Sequence, residues 1–297
     1  MFRSIKLRRL SILSFITLCL AFLVIGVGAF TRLSQAGLGC PDWPGCYGHL
    51  IVPKDKTTLQ RIDLNYPHAP ISVKKAQIEM GHRYLAGLLG ILILSVVVTC
   101  MLTARTSGFE YIVFAALLFM LLIYQVFLGL WTVTFKLSPF IVMQHLLVGM
   151  TILALLWLIY LYSRPLQTAT INVSRLFRFL AAVGFILLIV QVILGAWTSS
   201  HYVGLLYAGL SAVHRWGALV VGCALFSLFL MIQTHYRSHL LLKKTSWYLL
   251  IFLCVQILLG ALNVIFQLPL FLAIAHNLIA SMILLIMVTI NYTINCG

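Results

Sequence analysis

The sequence predicts an all-α integral membrane protein whose eight transmembrane helices form two pseudo-two-fold-related four-helix bundles. Three observations lead there. Of the 297 residues, 62% are hydrophobic and 8% charged, more apolar surface than a soluble domain can hide. The apolar residues gather in runs of about 20, the length that crosses hydrocarbon as a helix with every backbone polar group satisfied internally. A helical-hairpin pattern then recurs along the chain.

In order, the predicted spans are 10–30, 81–101, 111–133, 140–160, 177–199, 210–232, 247–266 and 271–291. The first is too long for a removable signal alone and lacks a convincing small-residue cleavage site, so it is retained as an anchor. Residues 1–165 make an N-terminal half with a long outer loop at 31–79, and residues 166–297 make a C-terminal half.

The formal charge of +15 does not point to nucleic acid here, because the basic residues flank helices. Eleven of them fall on one side: Arg3, Lys6, Arg8, Arg9, Arg105, Arg164, Arg175, Arg178, Arg237, Lys243 and Lys244. The positive-inside rule then puts both termini in the cytoplasm of a bacterial inner membrane. The first outer loop opposes this with Lys54, Lys56, Arg61, Lys74 and Lys75, but its length weakens its vote and it also carries Asp42, Asp55 and Asp63.

Of seven cysteines, Cys19, Cys100, Cys223 and Cys254 lie in apolar runs and read as packing residues, and Cys296 is terminal. Cys40 and Cys46 flank Pro-Asp-Trp-Pro-Gly in the outer loop, on the oxidising side, where either a disulfide or two free thiols in a tight turn fits; the disulfide is the favoured reading.

The third span carries Gln125-Val-Phe-Leu-Gly129, the fifth Gln191-Val-Ile-Leu-Gly195 and the seventh Gln256-Ile-Leu-Leu-Gly260; the first answers more weakly with Gly26-Val-Gly28. The even spans each bring one histidine: His82, His145, His214 and His276. The unit is a hairpin, two hairpins make a half, and helices one to four repeat as five to eight, in parallel about an axis along the membrane normal. Close packing accounts for most of the Gln-Gly pattern. A glycine opposite each histidine would also make room for a flat macrocycle.

His82 and His214 are 132 residues apart, and His145 and His276 are 131 apart. A single such histidine is most simply a hydrogen-bonding residue. Four in two-fold register read as two bis-histidine sites, His82 with His145 and His214 with His276, near the outer face. Four-helix bundles build cofactor sites from inward side chains, and histidine is a standard axial ligand of haem; zinc would want a closed tetrahedral set. The remaining histidines read as solvated, with His201 a weak exception. Arg83 and Arg215, each following a histidine, are candidates for haem propionates or equally for snorkelling interfacial charges.

The halves differ in one respect. Glu79 and His82 are i and i+3, on one helix face, whereas the position three before His214 is Ser211. A carboxylate beside one site only is a candidate proton acceptor; the simpler reading is a first-turn glutamate that complements the helix dipole.

At these residues the chain resembles the heme A synthases. The matching features are Thr31-Arg32, the Cys40-Pro-Asp-Trp43-Pro-Gly-Cys46 loop, Glu79-x-x-His82-Arg83 and the single histidines in helices four, six and eight, and they cover essentially the whole chain. The resemblance implies oxidation of a ring methyl of heme O to the formyl group of heme A for terminal oxidases. It implies heme O on His82 and His145 with Glu79 catalytic, a permanent haem b on His214 and His276, and a Cys40–Cys46 disulfide. Heme O synthase and an electron acceptor are the implied partners, besides membrane lipid; a homo-oligomer is open and no nucleic acid is expected. Some members carry a second cysteine pair in the loop between helices five and six; here that loop has none, so a role requiring both pairs does not carry over. A dihaem b-type electron-transfer cytochrome is the alternative, but it leaves Glu79, Cys40 and Cys46 without work; a haem carrier makes two tight ligands per site awkward.

Overall fold

The computed structural model describes residues 2–69, 71–164, 173–200 and 205–296. Among them the ordered elements are helical: α1 Phe2–Leu33, α2 Lys56–Asn65, α3 Val73–Ser107, α4 Glu110–Thr134, α5 Pro139–Ser163, α6 Arg175–Ser200, α7 Leu205–His235, α8 Leu240–Ile265 and α9 Leu270–Cys296. All but α2 are long and apolar enough to cross a membrane, and the eight apolar helices coincide with the eight expected spans. Large apolar side chains stay exposed along them, Phe119, Met120 and Phe127 on α4 and Leu219 and Val220 on α7 among them. That pattern suits a lipid solvent rather than water.

Two differences from the sequence expectation bear on the site. The second spanning helix starts at Val73, after an extended Ser72, rather than at residue 81. Glu79 therefore lies beyond the first turn, where a helix-dipole role has faded. Within the outer loop, α2 is an extra helix started by Asp55, whose carboxylate accepts the Thr58 N–H at 2.8 Å and the Thr57 hydroxyl at 3.0 Å.

Two compact units divide the chain. One comprises residues 16–152; the other comprises residues 1–15 with 153–297. The boundaries fall inside α1 and α5. In the second unit Phe177 is fully buried, the Trp157 indole N–H donates to the Thr289 hydroxyl at 2.8 Å, and the Asn291 amide donates to the Ala181 carbonyl at 3.4 Å.

In the first unit the outer loop folds its own small core onto the start of α3. Cys40, Cys46, Tyr47, Val52, Ile62, Ala76 and Met80 pack together, with Tyr66, Ile71 and Val73 around them. Gly39 touches the α3 backbone so closely that a Cβ there would fall 2.6–2.7 Å from Lys75 and Ala76.

Three helices end in the same way. The N–H groups of Ala36, Leu137 and Leu268 reach back to the carbonyls of Thr31, Thr132 and Asn263 at 2.8–2.9 Å, and those of Gln35, Lys136 and Gln267 to Arg32, Val133 and Val264. This is the Schellman closure. Gln35, Lys136 and Gln267 have φ of 54°, 48° and 56°, and after α4 and α8 the next residues, Leu137 and Leu268, are left-handed as well at 57° and 63°.

Candidate functional site

Each of the four histidines meets a glycine of the transmembrane helix before it. A Cβ on Gly28 (α1) would stand 2.9 Å from Cε1 of His82 (α3). The same atom on Gly129 (α4) would stand 3.7 Å from His145 (α5), on Gly195 (α6) 2.9 Å from His214 (α7), and on Gly260 (α8) 3.3 Å from His276 (α9). The glycine therefore seats the imidazole ring of the neighbouring helix. The Schellman ends begin three residues beyond the seats in α1, α4 and α8, so turn and seat keep one register.

Three of the seats have a second part. The Gln125 amide donates to the His145 carbonyl at 3.0 Å. The Gln191 amide donates to the His214 carbonyl at 2.7 Å and lies 3.0 Å from its Nδ1. The Gln256 amide is 3.2 Å from Nε2 of His276. Each glutamine stands four residues before its seat glycine. The repeat was visible in the sequence as packing; the contact of each glutamine with a histidine was not, although its fixed offset from the glycine was the signal. In α1 the equivalent position holds Val24, buried.

The imidazoles are poorly satisfied. Nδ1 of His82, His145 and His276 is buried and without a hydrogen-bond partner, a costly state for a polar atom unless something takes it up. His82 and His145 lie in one compact unit, and His214 and His276 lie in the other. Among the described residues no group of three or more His, Cys, Asp or Glu converges. Buried imidazoles, three of them with an unpartnered Nδ1 and each packed on a glycine, have the chemistry of axial ligands to a metal inside a macrocycle.

Beside His82 the arrangement is different. Glu79, 4% exposed, accepts the Cys40 backbone N–H at 3.0 Å through Oε2 and pairs through Oε1 with Nη2 of Arg83 at 2.6 Å. Arg83 Nη1 reaches into the loop, toward the carbonyls of Asp42 at 2.9 Å, Pro44 at 3.2 Å and Gly45. Cys40 and Cys46 are joined sulfur to sulfur at 2.02 Å, and Asp42 accepts the N–H groups of Tyr47 at 2.6 Å and Gly48 at 2.7 Å. The guanidinium of Arg83, read from sequence as a propionate candidate, is thus engaged by the loop and by Glu79, whereas Arg215 is exposed. Within the loop, burial and then the nearby carboxylates of Asp63, Asp42 and Glu79 push the Tyr47 hydroxyl upward. Hydrogen bonds from Thr58 and Thr57 hold Asp55 down at about 2. His201 lies outside the described residues.

The cytochrome oxidase assembly protein family model matches residues 11–212 and 208–288. A heme A synthase of Shewanella oneidensis is 37% identical, covering 93% of this chain and 94% of its own. One from Wolbachia pipientis wMel is 26% identical over 89% of this chain and 86% of its own. One from the Wolbachia of Brugia malayi is 24% identical over 86% and 88%. With the family match running through nearly all of the chain and a relative of that similarity, the chain belongs to the heme A synthase family.

Proposed function

We propose that this chain is a heme A synthase that oxidises one ring methyl of heme O to the formyl group of heme A. The observation that carries the reading is the set of four glycine-seated histidines in a chain of this family. His82 and His145 would hold the substrate, heme O, and His214 and His276 would hold a resident haem b. Haem b supplies one-electron transfer when bound, and a closed bis-histidine pair suits that task. The relatives' shared name disfavours the plain electron-transfer cytochrome, which would have no use for a buried carboxylate beside one site alone.

Glu79 is the acid-base group. It lies on the His82 face of α3, within the only half that has a carboxylate at this position, and it takes protons released as the methyl is oxidised by successive hydroxylations. Arg83 orients that carboxylate, and its four neighbours in the loop and on α3 would compete with any propionate. Arg215 is the propionate candidate of the other half. The Cys40–Cys46 disulfide keeps the loop closed over Glu79. The positive-inside rule places these sites toward the outer face of a bacterial inner membrane, with both termini cytoplasmic. Heme O synthase and an electron acceptor are the partners this role calls for.

The test is to supply heme O to the purified protein and extract the haems for chromatography. Heme A should accumulate, Glu79→Ala should abolish it while the C-terminal haem spectrum persists, and His214→Ala or His276→Ala should erase that spectrum. Haem b alone, in two equivalents and indifferent to heme O, would overturn the reading in favour of the cytochrome.

A further inference from the structure

Three of the four seated histidines are held by a glutamine from the preceding spanning helix, and His82 is not. Val24 occupies the glutamine's place in α1, and an apolar side chain there cannot donate to the ring or carbonyl of His82 as the amides of Gln125, Gln191 and Gln256 do to their histidines. What holds the His82 turn instead is the loop: Glu79 on Cys40, and Arg83 on the carbonyls of Asp42, Pro44 and Gly45. The other three turns are fixed within the helical bundle, by a short amide on an adjacent helix. The His82 turn is fixed to a segment closed by Cys40 and Cys46 and built outside the spanning helices.

We propose that His82 is the exchangeable ligand of the N-terminal site, positioned by the disulfide-closed loop where Gln125, Gln191 and Gln256 position the other three histidines. This rests on the reading of His82 and His145 as a haem pair. A substrate haem has to enter and product haem has to leave, so one ligand must release; the chain has left unclamped the one whose hold can be relaxed from the loop. Val24 and the three glutamines are positioning residues, since none needs to touch the macrocycle.

The V24Q substitution installs the missing clamp. The residue four after His82 is Ala86, as Ala280 is four after His276, so the small neighbour is the same in both turns. Carbon monoxide is the probe, added to the ferrous protein isolated from cells that make heme O and read as a difference spectrum. The parent should bind it at the N-terminal haem only. V24Q should bind at least tenfold less, the C40S/C46S double variant several-fold more, and Q191V should open the otherwise silent C-terminal haem. The low-spin spectrum of the unaltered haem in each variant reports that the protein has folded. Carbon monoxide binding that is unchanged in V24Q and C40S/C46S, with Q191V still silent, overturns the proposal and leaves the haem pairs intact. If His214→Ala protein carries no haem at all, the N-terminal pair itself is wrong and the proposal falls with it.

Discussion

Glu79 accepts the backbone N–H of Cys40 at 3.0 Å, across 39 residues of chain, and that one bond joins the outer loop to the helix turn that carries His82. Its second oxygen belongs to Arg83, so the carboxylate is both a chemical group and a structural link.

The two duties are separable by substitution. Glu79→Gln keeps an oxygen for the Cys40 N–H but loses the charge, so the loop should stay folded while heme A formation drops at least a hundredfold. Glu79→Ala removes both and should also cost about 3 kcal/mol of stability, the low end for breaking a buried pair because Arg83 keeps its loop carbonyls. Haem chromatography and thermal melting in detergent read the two effects on the same preparations.

The glycine seats should rank by their clearance. Gly28→Ala and Gly195→Ala place a methyl 2.9 Å from an imidazole carbon, Gly260→Ala at 3.3 Å and Gly129→Ala at 3.7 Å. Overpacking of this kind costs about 1–3 kcal/mol, so the first two should melt lowest and lose haem fastest, Gly260→Ala should be intermediate, and Gly129→Ala close to the parent. Melting temperature and haem retained after gel filtration give the order.

The Schellman ends carry the opposite opportunity. Lys136 and Gln267 sit at φ of 48° and 56°, a region that costs residues with a Cβ about 1 kcal/mol relative to glycine. Lys136→Gly and Gln267→Gly should each raise the melting temperature, while Gly39→Ala, driven into the α3 backbone, should lower it.

Asp55 offers a pH effect confined to the loop. Its acidity is held at about 2 against an ordinary 3.8, by hydrogen bonds that only the ionised cap accepts well. The cap's contribution is therefore complete above the ordinary value and is lost as pH falls toward 2. Amide exchange in α2 should accelerate over that window; Asp55→Asn should remove the acid step while leaving α2 formed, and Asp55→Ala should fray it at neutral pH.

Much of this was readable beforehand, and the reasons are physical. Runs such as 111–133 have no alternative to a spanning helix, and His82, His145, His214 and His276 stand out because polar residues are rare in such runs. Less legible was anything that depends on which side chains touch. Gln125, Gln191 and Gln256 announce a repeat, but only the placement of α4 beside α5, α6 beside α7 and α8 beside α9 turns them into clamps. Lys56–Asn65 escaped because one short polar helix has weak periodicity, its start marked by Asp55 alone. Arg83 reads as an interfacial charge until the loop's carbonyls are folded onto it.

The order of synthesis adds one more consequence of the Glu79–Arg83 pair. A helix arriving at the bilayer with an isolated charge is slowed by it, yet α3 delivers these two as a neutral turn. Their other partners, Cys40, Asp42, Pro44 and Gly45, are all made earlier in the chain. The segment that receives the pair already exists when the pair emerges, so the outer end of α3 can be fastened to the loop before α4 arrives to pack along it.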